Sequence, residues 1–106
     1  MAQEFVNSKI QPRKVTVFIK PTCPYCQKTQ EILCQMSFKQ KLLEFVDITA
    51  ITDTNVIQDY FQQLMGARMV PQVFIGKDGI GGCSDLISMQ KSGELETRLR
   101  QIEALK

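Results

Sequence analysis

Two thiols stand three positions apart in the stretch Lys20-Pro21-Thr22-Cys23-Pro24-Tyr25-Cys26. A cysteine pair at that spacing can bind a metal, fix a fold as a disulfide, or cycle between dithiol and disulfide. A structural zinc needs four ligands. The chain has no His, and its other cysteines, Cys34 and Cys83, are single and far apart in sequence, so zinc lacks partners. A permanent disulfide is rarely kept in a reducing compartment, and 106 residues bury an adequate core without one. Redox cycling is the chemistry that fits.

The surroundings make the two thiols unequal. The run Val15-Thr16-Val17-Phe18-Ile19 is β-branched and aromatic, and reads as a strand buried on both faces. Residues 24–35 read as a helix, with Thr22 as its expected N-cap and Pro24 in the first turn. Cys23 then lies at a helix N-terminus, where unpaired N–H groups and the dipole favour an anion, and Lys20 adds positive charge. Cys23 is therefore the expected nucleophile. Cys26, one turn inside the helix, is the expected resolving thiol. Helical neighbours three apart have Cβ atoms about 5–6 Å from each other, so a small adjustment closes a disulfide. Cys34 would be about 16 Å from Cys23 along a helix, beyond bridging distance. It is expected to be a buried or half-buried small residue.

The elements that must hold this pair follow along the chain. Residues 3–11 suggest a short N-terminal helix ended by Pro12. A second strand over residues 42–48 follows the first helix, which gives a right-handed βαβ unit with parallel strands. Thr52-Asp53-Thr54 reads as a helix start, Val56, Ile57, Tyr60, Phe61 and Leu64 as one face of that helix, and Gly66 as its C-terminal cap. Gln72-Val73-Phe74-Ile75 is a third strand. Gly76-Lys77-Asp78-Gly79 is turn chemistry, and Ile80 opens a fourth strand, antiparallel to the third. A helix from about Ser84-Asp85 and a last one carrying Leu95, Leu99 and Ile102 close the chain. This order predicts an α/β protein. The sheet has four strands and is mixed, helices cover both faces, and there is an extra N-terminal helix: a thioredoxin fold in one domain, residues 1–106.

Composition narrows the partners. Apolar residues are 43% of the chain and charged ones 23%, with a formal net charge of +2, which suits an ordinary globular domain and is too mild for nucleic acid. No apolar run approaches the roughly 18 residues of a membrane helix. Residues 1–8 carry neither a basic segment nor an apolar one, so a cytoplasmic location is expected.

Cys23-Pro24-Tyr25-Cys26, Val70-Pro71 and Gly81-Gly82-Cys83-Ser84-Asp85 together resemble, in order and spacing, the motifs of the dithiol glutaredoxins. The resemblance covers residues 1–102 and is greatest to the mammalian cytosolic members. It implies a glutathione-dependent thiol–disulfide oxidoreductase with glutathione as co-substrate and no tightly bound cofactor or metal. It implies a monomer whose partners are glutathionylated and disulfide-containing proteins. In that family's pattern the backbone of Val70, before a cis Pro71, pairs with the glutathione cysteine. Asp85 and the backbone of Cys83 and Ser84 hold the γ-glutamyl end. Lys20, Gln58 and Arg68 take the glycine carboxylate, and Tyr25 lines the groove. Met69, Gln27 and Gly79 stand where the family usually has Thr, a basic residue and Cys. Arg13, Cys34, Lys41, Gln72 and Glu103 also depart from its pattern. Two rival readings are a thioredoxin served by a flavoprotein reductase, disfavoured by the lack of any Trp, and an iron–sulfur carrier using Cys23 and glutathione.

Overall fold

Every residue of Val15–Ile19 is buried because this strand, β1, lies at the centre of the sheet. The computed structural model describes residues 2–50 and 54–105. Around β1 run α1 (Ala2–Lys9), α2 (Pro24–Cys34), β2 (Leu43–Asp47), a 3-10 turn (Ile48–Ala50), α3 (Thr54–Met65), β3 (Gln72–Ile75), β4 (Asp78–Gly81), α4 (Cys83–Ser92) and α5 (Glu94–Gln101). The strand order is β2-β1-β3-β4. β1 and β2 are parallel, with Val17 opposite Phe45, and the β1–β3 and β3–β4 pairs are antiparallel. This is the expected mixed four-stranded sheet. The helix start read at Thr52 and Asp53 lies outside the described residues.

Alternation along the strands divides the core in two. Val15, Val17, Ile19, Val73 and Ile75 pack with Cys26, Ile32 and Leu33 of α2, Leu86 of α4, and Leu95 and Leu99 of α5. Phe18 and Phe74 point the other way, into a cluster with Val6 of α1 and Ile57 and Phe61 of α3. The Phe18 ring lies 5.2 Å from that of Phe61 and 5.6 Å, edge-on, from that of Phe74. Fully burying one such side chain contributes about 1.5–3 kcal/mol. Among the described residues no helix is long and apolar enough to cross a membrane.

Three local expectations need correction. The N-cap of α2 is Cys23 rather than Thr22: Cys23 is extended (φ −89, ψ 119), its carbonyl accepts from the Gln27 N–H at 3.2 Å, and Pro24 begins the helix. Cys34 is exposed, because Ile32 and Leu33 already take the inward positions of the last turn. β4 begins at Asp78 instead of Ile80, since Gly76 at φ +63 lets Gly76-Lys77 complete the turn alone. The register then shifts between Val73 and Phe74, which face Gly81 and Gly79.

Candidate active site

With Cys23 as the cap, its sulfur sits at the mouth of α2 and no side chain caps that helix start. The Cys23 thiol is half-buried and donates to the Val70 carbonyl at 3.7 Å. Cys26, one turn on, is 1% exposed. Burial pushes its pKa up to about 12, and the neighbouring Cys23 and Cys83 thiols push the same way. A backbone hydrogen bond at Lys20 opposes them without prevailing. All four cysteines are free. The geometry thus provides one accessible sulfur with a protonated sulfur behind it.

Across from the thiols the Val70–Pro71 peptide bond is cis. A groove of about 480 Å³ runs from there over Gly81 and Gly82 to the start of α4, flanked by Tyr25 and Met69. Tyr25 is 69% exposed and Met69 73%, so the groove has an apolar rim. At its far end the Gly82 N–H donates to Asp85 Oδ2 at 3.0 Å. A Cβ at Gly81 (φ +109) would lie 2.3 Å from Asp85 Oδ2, so a side chain there would require that carboxylate to move. A Cβ at Gly82 would sit in ordinary contact, 3.4 Å from the Pro71 carbonyl oxygen.

Six residues named from the sequence, Tyr25, Val70, Pro71, Cys83, Ser84 and Asp85, therefore share this groove. Lys20, Gln58 and Arg68 form a chain beside it: Lys20 Nζ donates to Gln58 Oε1 at 3.2 Å, and Gln58 Nε2 donates to the Arg68 carbonyl at 3.1 Å. The Arg68 guanidinium itself is engaged by Asp59 at 2.9 Å. Met65, Ala67 and Gln72 also line the groove and were not singled out as site residues. Gln72 left a signal, as the one polar residue in the strand Gln72-Val73-Phe74-Ile75. A Cβ at Gly79 would lie 2.3 Å from the Met65 sulfur, so a side chain there would require the Met65 thioether to move. Arg13 and Glu103, both departures from the family pattern, meet as an ion pair at 2.8 Å. Among the described residues no group of three or more His, Cys, Asp or Glu is placed to hold a metal ion.

The glutaredoxin family model matches residues 15–80. The chain is 77% identical to mouse Glutaredoxin-1, covering 99% of this chain and 98% of that protein, and 75% identical to the human protein, covering 99% of each. The chain belongs to the glutaredoxin family. It is accordingly a glutathione-dependent thiol–disulfide oxidoreductase. Solved glutaredoxins share its fold. A buckwheat glutaredoxin–glutathione complex superposes with a TM-score of 0.91 at 27% identity, covering 100% of this chain and 94% of that one. Oxidized glutaredoxin 2 from Chlamydomonas reinhardtii gives 0.87 at 32% identity, covering 98% and 95%.

Proposed function

We propose that Cys23 is the nucleophile and Cys26 the resolving thiol of a reaction that removes glutathione from proteins. The observation that carries this reading is the inequality of the two sulfurs: Cys23 is half-buried with its sulfur 3.7 Å from the carbonyl of Val70, a residue that lines the groove, and Cys26 is buried. In the monothiol route the Cys23 thiolate attacks the glutathione sulfur of a protein–glutathione mixed disulfide. The protein thiolate leaves and takes up a proton, and Cys23 carries glutathione. A second glutathione thiolate attacks that glutathionyl sulfur, which releases glutathione disulfide and restores Cys23. In the dithiol route Cys23 attacks a protein disulfide, Cys26 displaces the second protein sulfur, and two glutathiones reduce the resulting Cys23–Cys26 bond.

The groove suits glutathione by its chemistry. The Val70 backbone supplies a strand-like edge for the cysteinyl unit. The N-terminus of α4, at Cys83 and Ser84, suits the γ-glutamyl carboxylate, and Asp85 its ammonium. Lys20 has donors to spare for the glycine carboxylate; Gln58 orients it, and Arg68 must be shared with Asp59. Tyr25 covers the sulfur end. Protein partners in this reading are glutathionylated and disulfide-containing proteins of the cytoplasm, met by a monomer.

A deglutathionylation assay coupled to glutathione disulfide formation tests the roles. Cys23→Ser is expected to abolish turnover, and Cys26→Ser to retain it within about an order of magnitude, because only the dithiol route needs Cys26. The opposite pattern reverses the assignment.

A further inference from the structure

We propose that Gln72 is a positioning residue that fixes the loop carrying Val70, and that this determines how well Cys23 holds glutathione in preference to other thiols. The inference rests on the glutathione reading of the groove. Gln72 is 2% exposed, at the first position of β3, where its backbone pairs with Phe18 of the central strand. Its side chain turns back over the loop before it. Nε2 donates to the Met69 carbonyl at 2.8 Å and to the Ala67 carbonyl at 3.1 Å. From α3, Gln58 Nε2 holds the carbonyl between them, that of Arg68, at 3.1 Å. Three successive carbonyls are thus tied by two glutamine amides, one anchored in the sheet and one in a helix. The next carbonyl, that of Val70, faces the Cys23 sulfur.

The amide orientation is fixed by its surroundings. Exchanging Nε2 and Oε1 would set an acceptor against two carbonyl oxygens, which offer it no hydrogen. In the orientation present, both donors are used, and Oε1 is buried with no partner among the described residues. What the site uses is its pair of donors. A side chain with donors only should replace it, whereas an isosteric acceptor should drive the loop away.

The loop edge matters for a ligand that has its own peptide groups. A glutathione mixed disulfide presents such groups to Val70; a mixed disulfide with 2-mercaptoethanol presents none. The exchange to measure is Cys23–S–S–CH2CH2OH plus glutathione giving the Cys23–glutathione disulfide plus 2-mercaptoethanol, in which one disulfide replaces another with no net oxidation. The full chain carrying Cys26→Ser, which cannot close its own disulfide, is equilibrated with both thiols and their disulfides. Peptide mass mapping reads the two adducts at Cys23.

The parent is expected to favour glutathione. Gln72→Met and Gln72→Glu should each lower that preference about tenfold through the two lost hydrogen bonds, and Gln72→Arg should keep it within about threefold. A preference unchanged in Gln72→Met, even with a lower melting temperature, would make Gln72 structural only and overturn the proposal. Equal loss in Gln72→Arg and Gln72→Glu would overturn it too, and this pair decides the matter if Gln72→Met does not fold. A parent with no preference for glutathione would instead refute the glutathione reading of the groove.

Discussion

Two sulfurs one helical turn apart experience different solvation: Cys23 is half-buried and Cys26 is buried. Cys26 is held protonated by burial, with a pKa near 12, so almost none of it is thiolate at neutral pH. Once Cys23 carries glutathione, it no longer contributes charge beside Cys26, but the burial that dominates the shift persists. Ring closure by Cys26 should therefore speed up about tenfold per unit between roughly pH 7 and pH 9, as thiolate fraction grows below the pKa. Acid-quenched mass spectrometry of the Cys23–glutathione adduct gives that rate. A flat profile would mean that Cys26 titrates near neutrality. At this scale the sequence told much: the cysteine spacing and a helix start were enough to place one thiol at the mouth of α2 and the other one turn inside it. It did not reveal the contacts of Gln72, because those of a polar residue in a buried strand depend on which carbonyls the preceding loop folds back onto it. Cys34 was misplaced for a simpler reason. Two apolar residues before it compete for the same inward arc, and hydrophobicity alone does not rank a thiol against them.

The junction between β4 and α4 shows how an element ending can form one end of a groove. Gly81 adopts φ +109, and Asp85 reaches back to the Gly82 N–H that opens α4. Gly66, which ends α3, also has positive φ (+75), but a Cβ there would meet nothing within 4 Å. The two glycines give a controlled comparison. Gly66→Ala should cost only the left-handed penalty, about 1–2 kcal/mol. Gly81→Ala should cost more, about 2–3 kcal/mol, since its Cβ also displaces the Asp85 carboxylate from the Gly82 N–H. Urea unfolding of the two variants gives the difference, and equal costs would show that Asp85 yields freely. Gly66 as a cap was readable because Gly follows an amphipathic run that has no other exit. The start of β4 was not, since two residues suffice for the turn only when Gly76 takes its positive φ. The register shift that follows places Gly81, rather than Ile80, against Val73.

For the whole molecule, connection rules accounted for two of the three strand pairings: a βαβ unit fixes the parallel β1–β2 pair and a short hairpin the antiparallel β3–β4 pair, whereas the antiparallel β1–β3 pairing that joins them was not specified. What those rules omit is how distant charges and chain ends meet. The Phe38–Leu105 bridge, with the Lys39 N–H on the Ala104 carbonyl at 2.8 Å, ties the end of the chain to the segment after α2. Glu44 of β2 draws together two other elements, pairing with Lys14 before β1 and, at 3.6 Å, with Lys9 at the end of α1. No local pattern specifies such meetings. They have a measurable consequence. The Lys14 hydrogen bond, more than the charges of Lys14 and Lys9, holds the Glu44 carboxyl below its ordinary value of 4.5. A group whose folded pKa is lowered contributes fully above its unfolded pKa and loses the contribution as pH falls through the folded one. Glu44 is 33% exposed, so solvent screening limits that contribution to no more than about 1 kcal/mol. Glu44→Gln, which keeps the shape and removes the charge, should be less stable than the parent by up to about 1 kcal/mol at neutral pH, with the gap closing as pH falls through the lowered carboxyl range. Urea unfolding at neutral pH and at successively lower pH measures it. A gap that stays constant would assign the loss to packing or hydrogen bonding at the junction of α1, β1 and β2, since only the ionic contribution vanishes when the carboxylate takes up its proton.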